Sequence, residues 1–121
     1  MSNLRIQITK HGKHSDIAVI TLYGPLDTVA SYSFQEQMHM LRQTGLYRYI
    51  IDLQHLDYIS SAGIGVFPGM LNELQQHKGG LVFVQVPVKI YKLFEMIGLI
   101  NLFPVMESIE RAIEEFDKDD E

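Results

Sequence analysis

Leu56-Asp57-Tyr58-Ile59-Ser60-Ser61-Ala62-Gly63-Ile64-Gly65-Val66 sets two adjacent hydroxyls where a buried strand gives way to a helix. The strand is the run Tyr47-Arg48-Tyr49-Ile50-Ile51-Asp52-Leu53, and the small residues Ser60, Ser61, Ala62 and Gly63 leave the helix start uncrowded. Free backbone N–H groups and the positive end of the helix dipole favour a negative group at such a point. Serine is also a favoured N-cap, worth about 1 kcal/mol, so capping accounts for one hydroxyl of the pair. Ser61 reads as a place to carry and lose a phosphate.

Working outward, strand and helix signals alternate without an internal repeat. Leu4, Ile6 and Ile8 alternate with polar residues, as in a half-exposed strand. A polar turn through residues 10–16 leads to Ile17-Ala18-Val19-Ile20-Thr21-Leu22-Tyr23, apolar enough to be covered on both faces and near enough for an antiparallel hairpin. Gly24-Pro25-Leu26-Asp27 is expected to break that strand, with Asp27 or Thr28 capping a helix whose stripe is Ala30, Phe34, Met38 and Leu41. Gly45 ends it. After the strand at 47–53, a second helix is expected to run to about His77 with Phe67, Met70, Leu71 and Leu74 inward. Pro68 and Gly69 lie inside it, and proline removes a helix bond and clashes with the preceding turn. A kink or irregularity near Phe67–Gly69 follows.

Gly79-Gly80 stops this helix before the buried strand Leu81-Val82-Phe83-Val84-Gln85-Val86. Pro87 opens a third helix with Ile90, Leu93, Phe94 and Ile97 inward, closed by Gly98. A short edge strand is expected around Leu102-Phe103-Pro104-Val105, where a proline is tolerated. The last helix starts near Ser108 with Ile109, Ala112, Ile113 and Phe116 on one face. The order β-β-α-β-α-β-α-β-α implies an α/β domain with right-handed crossovers. Its central sheet is mostly parallel with one antiparallel edge strand, and helices pack against it. The domain spans 1–116, and Asp117-Lys118-Asp119-Asp120-Glu121 is expected to be a frayed acidic tail.

Composition narrows the function. With 121 residues, 46% hydrophobic and 21% charged, the chain suits one soluble domain with a real core. A net charge of −5 without a basic cluster argues against nucleic acid as a direct partner. The absence of cysteine removes disulfides, thiol catalysis and Cys-ligated metals. No apolar run reaches membrane-spanning length and the N-terminus does not read as a signal peptide, so the expected location is the cytoplasm. His11, His14, His39, His55 and His77 lack metal-ligand spacing, and no metal is expected. Ser61-Ala62-Gly63-Ile64-Gly65 is not a nucleophile elbow, Gly63-Ile64-Gly65 lacks the third glycine of a dinucleotide fingerprint, and there is no P-loop. An enzyme and a cofactor are both disfavoured.

The pattern from Ile51-Asp52-Leu53 through Val66 resembles the signature of the STAS-domain family, the anti-sigma factor antagonists of bacteria. Gly24-Pro25-Leu26-Asp27 is similar to that family's Gly-x-Leu-Asp turn. Leu93-Phe94-Glu95-Met96-Ile97-Gly98-Leu99 with Phe103-Pro104-Val105 is similar to its third helix and last strand. The resemblance spans essentially the whole chain, in order. It implies a non-enzymatic, partner-switching phosphoprotein that regulates transcription. Its unphosphorylated form would bind a serine kinase that is also the anti-sigma factor, freeing the sigma factor. A PP2C-type phosphatase would restore that form. By the same resemblance the phosphate acceptor is Ser61, with Ser60, at the family's acidic position, as second candidate. The partner surface would comprise Leu26, Asp27, Asp57, Tyr58, Ser60, Ser61, Ala62, Gly63 and Gly65. The alternative is a STAS scaffold in another phospho-signalling assembly, stressosome-like or transporter-associated, without a sigma factor target.

Overall fold

The structure, a computed structural model, describes residues 3–119. Strands β1 (Arg5–His11) and β2 (Ile17–Leu26) form the expected antiparallel hairpin, with Ile8 opposite Ile20. Its turn uses left-handed backbone at Gly12 and Ser15, conformations that glycine adopts without cost. Helix α1 (Thr28–Gln43) then crosses to β3 (Arg48–Asp52), and β4 (Leu56–Ile59) follows. Two short helices, α2 (Ser61–Gly65) and α3 (Leu71–Gln76), precede β5 (Gly80–Val84). Helix α4 (Val88–Met96), a two-residue β6 (Val105–Met106) and α5 (Ile109–Lys118) complete the chain.

The main sheet has the order β1-β2-β3-β5-β6, parallel except at β1, and β4 pairs separately with the end of β2. Each crossover adds its strand on the same side of the last. Repeated crossovers of one hand therefore bring α1 to α4 onto one face of the sheet. The side-chain alternation of the strands divides the core accordingly. Ala18, Ile20, Leu22, Tyr49, Ile51, Leu81 and Phe83 meet α1 to α4, while Ile17, Val19, Ile50, Val82 and Val84 meet Ala112 and Phe116 of α5.

Phe83 is the hub of the larger core. Its ring centroid lies 5.0 Å from those of Phe67 and Phe94 and 5.8 Å from that of Phe103, mostly edge to face. Arg42 of α1 is largely buried against α3, where its Nε donates to the Glu73 carboxylate at 3.0 Å. Burial also holds the Tyr49 phenol well above its ordinary pKa, so it remains a neutral donor to the Leu46 carbonyl. At the far side of the sheet, the Lys13 backbone N–H donates to the Asp117 carboxylate at 3.2 Å and ties the hairpin turn to α5.

Several expectations change. Gly24-Pro25 does not end β2. The strand passes through it with a register shift, Gly24 taking φ +90°, a bulge that leaves the proline needing no donor. Strand β4 was missed because its burial runs in, out, out, in rather than alternating. The second helix is broken at Phe67–Gly69 as Pro68 requires: α2 ends at Gly65, Pro68–Met70 form a 3-10 turn, and α3 starts at Leu71. Ile97 is about half exposed rather than inward, because α4 stops at Met96 and Gly98 turns left-handed. Leu102 and Phe103 are not strand, since a 3-10 turn at Leu99–Asn101 occupies the approach to β6. Of the expected tail at 117–121, Asp117 and Lys118 form the last turn of α5, Asp119 caps it, and residues 120–121 lie outside those described.

Phe83→Ala should cost about 3–5 kcal/mol, because three packed rings lose their common neighbour. Urea unfolding followed by far-ultraviolet circular dichroism measures it.

Candidate functional site

The residues singled out around Ser61 converge at one end of the sheet, where β2 gives way to α1 and β4 gives way to α2. Leu26 closes β2 opposite Ile59 of β4, and Pro25 stands opposite Tyr58. The Leu26 carbonyl accepts the Ser60 backbone N–H at 2.9 Å. A Cβ on Gly63 would stand 2.7 Å from that same carbonyl oxygen, so only glycine lets α2 lie this close to β2. Immediately after Leu26, Asp27 caps α1, its Oδ1 accepting the Ala30 N–H at 2.9 Å. The two helix starts are thereby held side by side.

The paired serines have different duties. Ser60 is buried, and its Oγ accepts the Gly63 N–H at 3.0 Å as the N-cap of α2. That bond and its burial commit the Ser60 oxygen to the fold and leave Ser61 the more open hydroxyl of the pair. Ser61 is the first helical residue and its side chain is exposed. First-turn N–H groups, those of Ser61 and Ala62 among them, have no partner within a helix. Because α2 is only five residues long, its macrodipole is small, and these N–H groups carry most of its attraction for an anion.

Of the nine residues proposed for the partner surface, Asp57, Tyr58, Ser61, Ala62 and Gly65 are exposed and Asp27 is half-buried. Leu26, Ser60 and Gly63 are buried. Those three shape the surface from beneath and present no side chain to a partner. Val29 and Tyr32, well exposed on the first turns of α1, extend the apolar part of this surface. They were not singled out from the sequence, although both fall off the stripe of Ala30, Phe34 and Met38, which is the signal that would have found them. His55 stands apart from Ser61 chemistry, its ring stacked on Tyr23 with centroids 4.9 Å apart. His77 stacks likewise on Tyr47, at 3.9 Å. Among the described residues no helix is long and apolar enough to cross a membrane.

A strand-to-helix tip of small residues thus stands on a mixed sheet with one antiparallel edge, with Ser61 exposed at its start. The STAS domain family model matches residues 6–112. The anti-sigma-B factor antagonist of Staphylococcus aureus (strain NCTC 8325 / PS 47) is 32% identical over 108 residues, covering 89% of this chain and 97% of that protein. Among solved structures, an anti-sigma factor antagonist from Mycobacterium paratuberculosis superposes with a TM-score of 0.80 at 16% identity, over 93% of this chain and 92% of that one. The unphosphorylated anti-sigma factor antagonist SpoIIAA gives 0.72 at 20% identity, over 96% and 98% of the two chains. Its phosphorylated form, described as a Bacillus cell fate determinant, gives 0.72 at 22% identity, over 93% and 99%. At such identities the structural likenesses speak for the fold alone. The chain belongs to the STAS-domain family, and its kinship within that family is with the anti-sigma factor antagonists.

Ser60→Ala should lower stability by about 1 kcal/mol through loss of the cap, whereas Ser61→Ala should change it by less than about 0.5 kcal/mol. Urea midpoints of the two variants, measured side by side, separate the roles.

Proposed function

We propose that this chain is an anti-sigma factor antagonist of the bacterial cytoplasm, a non-enzymatic regulator switched by phosphorylation of Ser61. Unphosphorylated, it binds a serine kinase that doubles as the anti-sigma factor and thereby frees the sigma factor. Phosphorylation ends that association, and a PP2C-type phosphatase restores it. The observation that carries this reading is the exposed Ser61 hydroxyl at the tip of α2, beside a buried Ser60 that already serves the fold.

The physical chemistry of the switch follows from that location. A phosphate adds about −1.5 to −2 charges and three strong acceptor oxygens. Within the free protein the unpaired N–H groups of the first turn of α2 tolerate it. At a closed interface the same charge must be stripped of water, at a cost of several kcal/mol unless the partner supplies cations. Asp27 and Asp57 belong to the same end of the domain, and α2 has no basic residue in its last turn to offset the charge. The modification therefore opposes docking without unfolding the domain.

The test starts with the partner retained from native lysate. Incubated with ATP and that kinase, the wild-type protein should take up one phosphate, mapped by mass spectrometry to Ser61, and Ser61→Ala should take up none. Ser61→Glu should bind the unmodified kinase at least tenfold more weakly, about 1.4 kcal/mol, while Ser61→Ala stays bound in the presence of ATP. Phosphate retained in Ser61→Ala defeats the site assignment. A retained partner without kinase activity would instead favour a scaffold role.

A further inference from the structure

The open edge of the sheet carries a second surface that the Ser61 switch does not use. Among the described residues β1 pairs with β2 alone, so the N–H and C=O groups along its other side point outward. Such an edge is a template for another strand, and natural sheets usually blunt theirs by shortening, bulging, proline or charged side chains; the charged side chains of β1, Arg5 and Lys10, are both basic. β1 is seven residues long and has no bulge or proline. Alongside it runs a groove of mixed polarity beside Ile6 and apolar beside Ile8. Ile6 and Ile8 of β1 form one wall, and Ser33, Gln37 and Met40 of α1 form the other. Ile8 is 37% exposed and Met40 58%.

Charge selects the occupant. The chain as a whole carries −5, yet residues 1–15 contain Arg5, Lys10 and Lys13, with His11 and His14, and not one of the fifteen acids. Arg5 holds its guanidinium over the Tyr23 ring, 4.6 Å from the centroid, fixed on the face of β1 opposite Ile6 and Ile8. No acidic side chain lines the groove. A second copy of this chain adding its own β1 would set a strand without a single acid beside Arg5 and Lys10, whereas a segment that carries carboxylates answers their charge. We infer that the edge of β1 and the groove beside α1 take an extended, acidic segment of a partner protein as an added strand. Alternate apolar residues of that segment fill the space between Ile8 and Met40. The intervening carboxylates lie over Arg5 and His11 on the other face, so main-chain bonds give affinity and the two side-chain rows give selectivity.

The probe is a capped seven-residue peptide alternating glutamate with isoleucine or valine, with a control carrying lysine at the glutamate positions. The glutamate peptide should slow hydrogen exchange at the outward-facing amides of β1, read by nuclear magnetic resonance on the full chain. Its affinity should fall about tenfold in Ile8→Asp, in Met40→Asp and in the double variant Arg5→Glu/His11→Glu, and should weaken steeply with added salt. Both apolar positions are surface-exposed, so each variant should keep the wild-type circular dichroism spectrum. Ser61→Glu should bind the peptide as the wild type does, which separates this edge from the phosphorylation switch. Equal protection by the lysine peptide, no protection of β1 by either, or loss of binding in Ser61→Glu overturns the assignment. So does protection of β1 without peptide as protein concentration rises, because the occupant would then be a second copy.

Discussion

One backbone oxygen organises the functional end of this protein. The Leu26 carbonyl accepts the Ser60 N–H at 2.9 Å, and Gly63 packs so near it that a methyl group would collide at 2.7 Å. The bond anchors the start of α2 to the last residue of β2. Since the next residue, Asp27, caps α1, both helix starts take their positions from one strand end. Without a glycine at 63 the helix would have to lift away, and Ser60 would lose its reach to the Gly63 N–H. The exposure of Ser61 is a consequence of this fit, because a residue adjacent to a buried cap is turned outward at the first helical position.

Polar groups inside the fold are used to fix elements against one another. Asp52, buried at the end of β3, accepts the Gln54 N–H at 3.0 Å. With its amide nitrogen turned inward, Gln85 after β5 also donates to that carboxylate, at 2.9 Å. The loops leaving two neighbouring parallel strands are thus joined at the same end of the sheet as the site. Arg42 does the corresponding work between α1 and α3, with Glu73 as its partner. Charge at the surface has another distribution, with basic groups in the first hairpin and acids along α5, so the two ends of the chain sequence present opposite fields.

Much of the architecture was legible because hydrophobic periodicity is a direct record of burial. The stripe Ala30-Phe34-Met38 and the capping residues Asp27 and Ser108 located α1 and α5 closely. Pro68 announced the break between α2 and α3, since its ring cannot sit inside a helix. Strand β4 escaped because Asp57 and Tyr58 are both exposed, so the period of two is absent from its four residues. The run of β2 through Gly24-Pro25 escaped because a bulge lets a strand include residues that normally end one. At the site, the family pattern drew attention to Ser60 and Ser61 together. Only the hydrogen bond from the Gly63 N–H divides the cap from the free hydroxyl, since sequence spacing allows either serine to be the N-cap.

Strand β4 is attached apart from the main ladder. Where β3 meets β2 along five consecutive residue pairs, β4 holds it through three, interrupted by the register shift at Gly24. The segment from Leu56 to Gly65 is therefore held less by ladder bonds than by what it buries, Leu56 and Ile59 joining the larger core and Gly63 packing on Leu26.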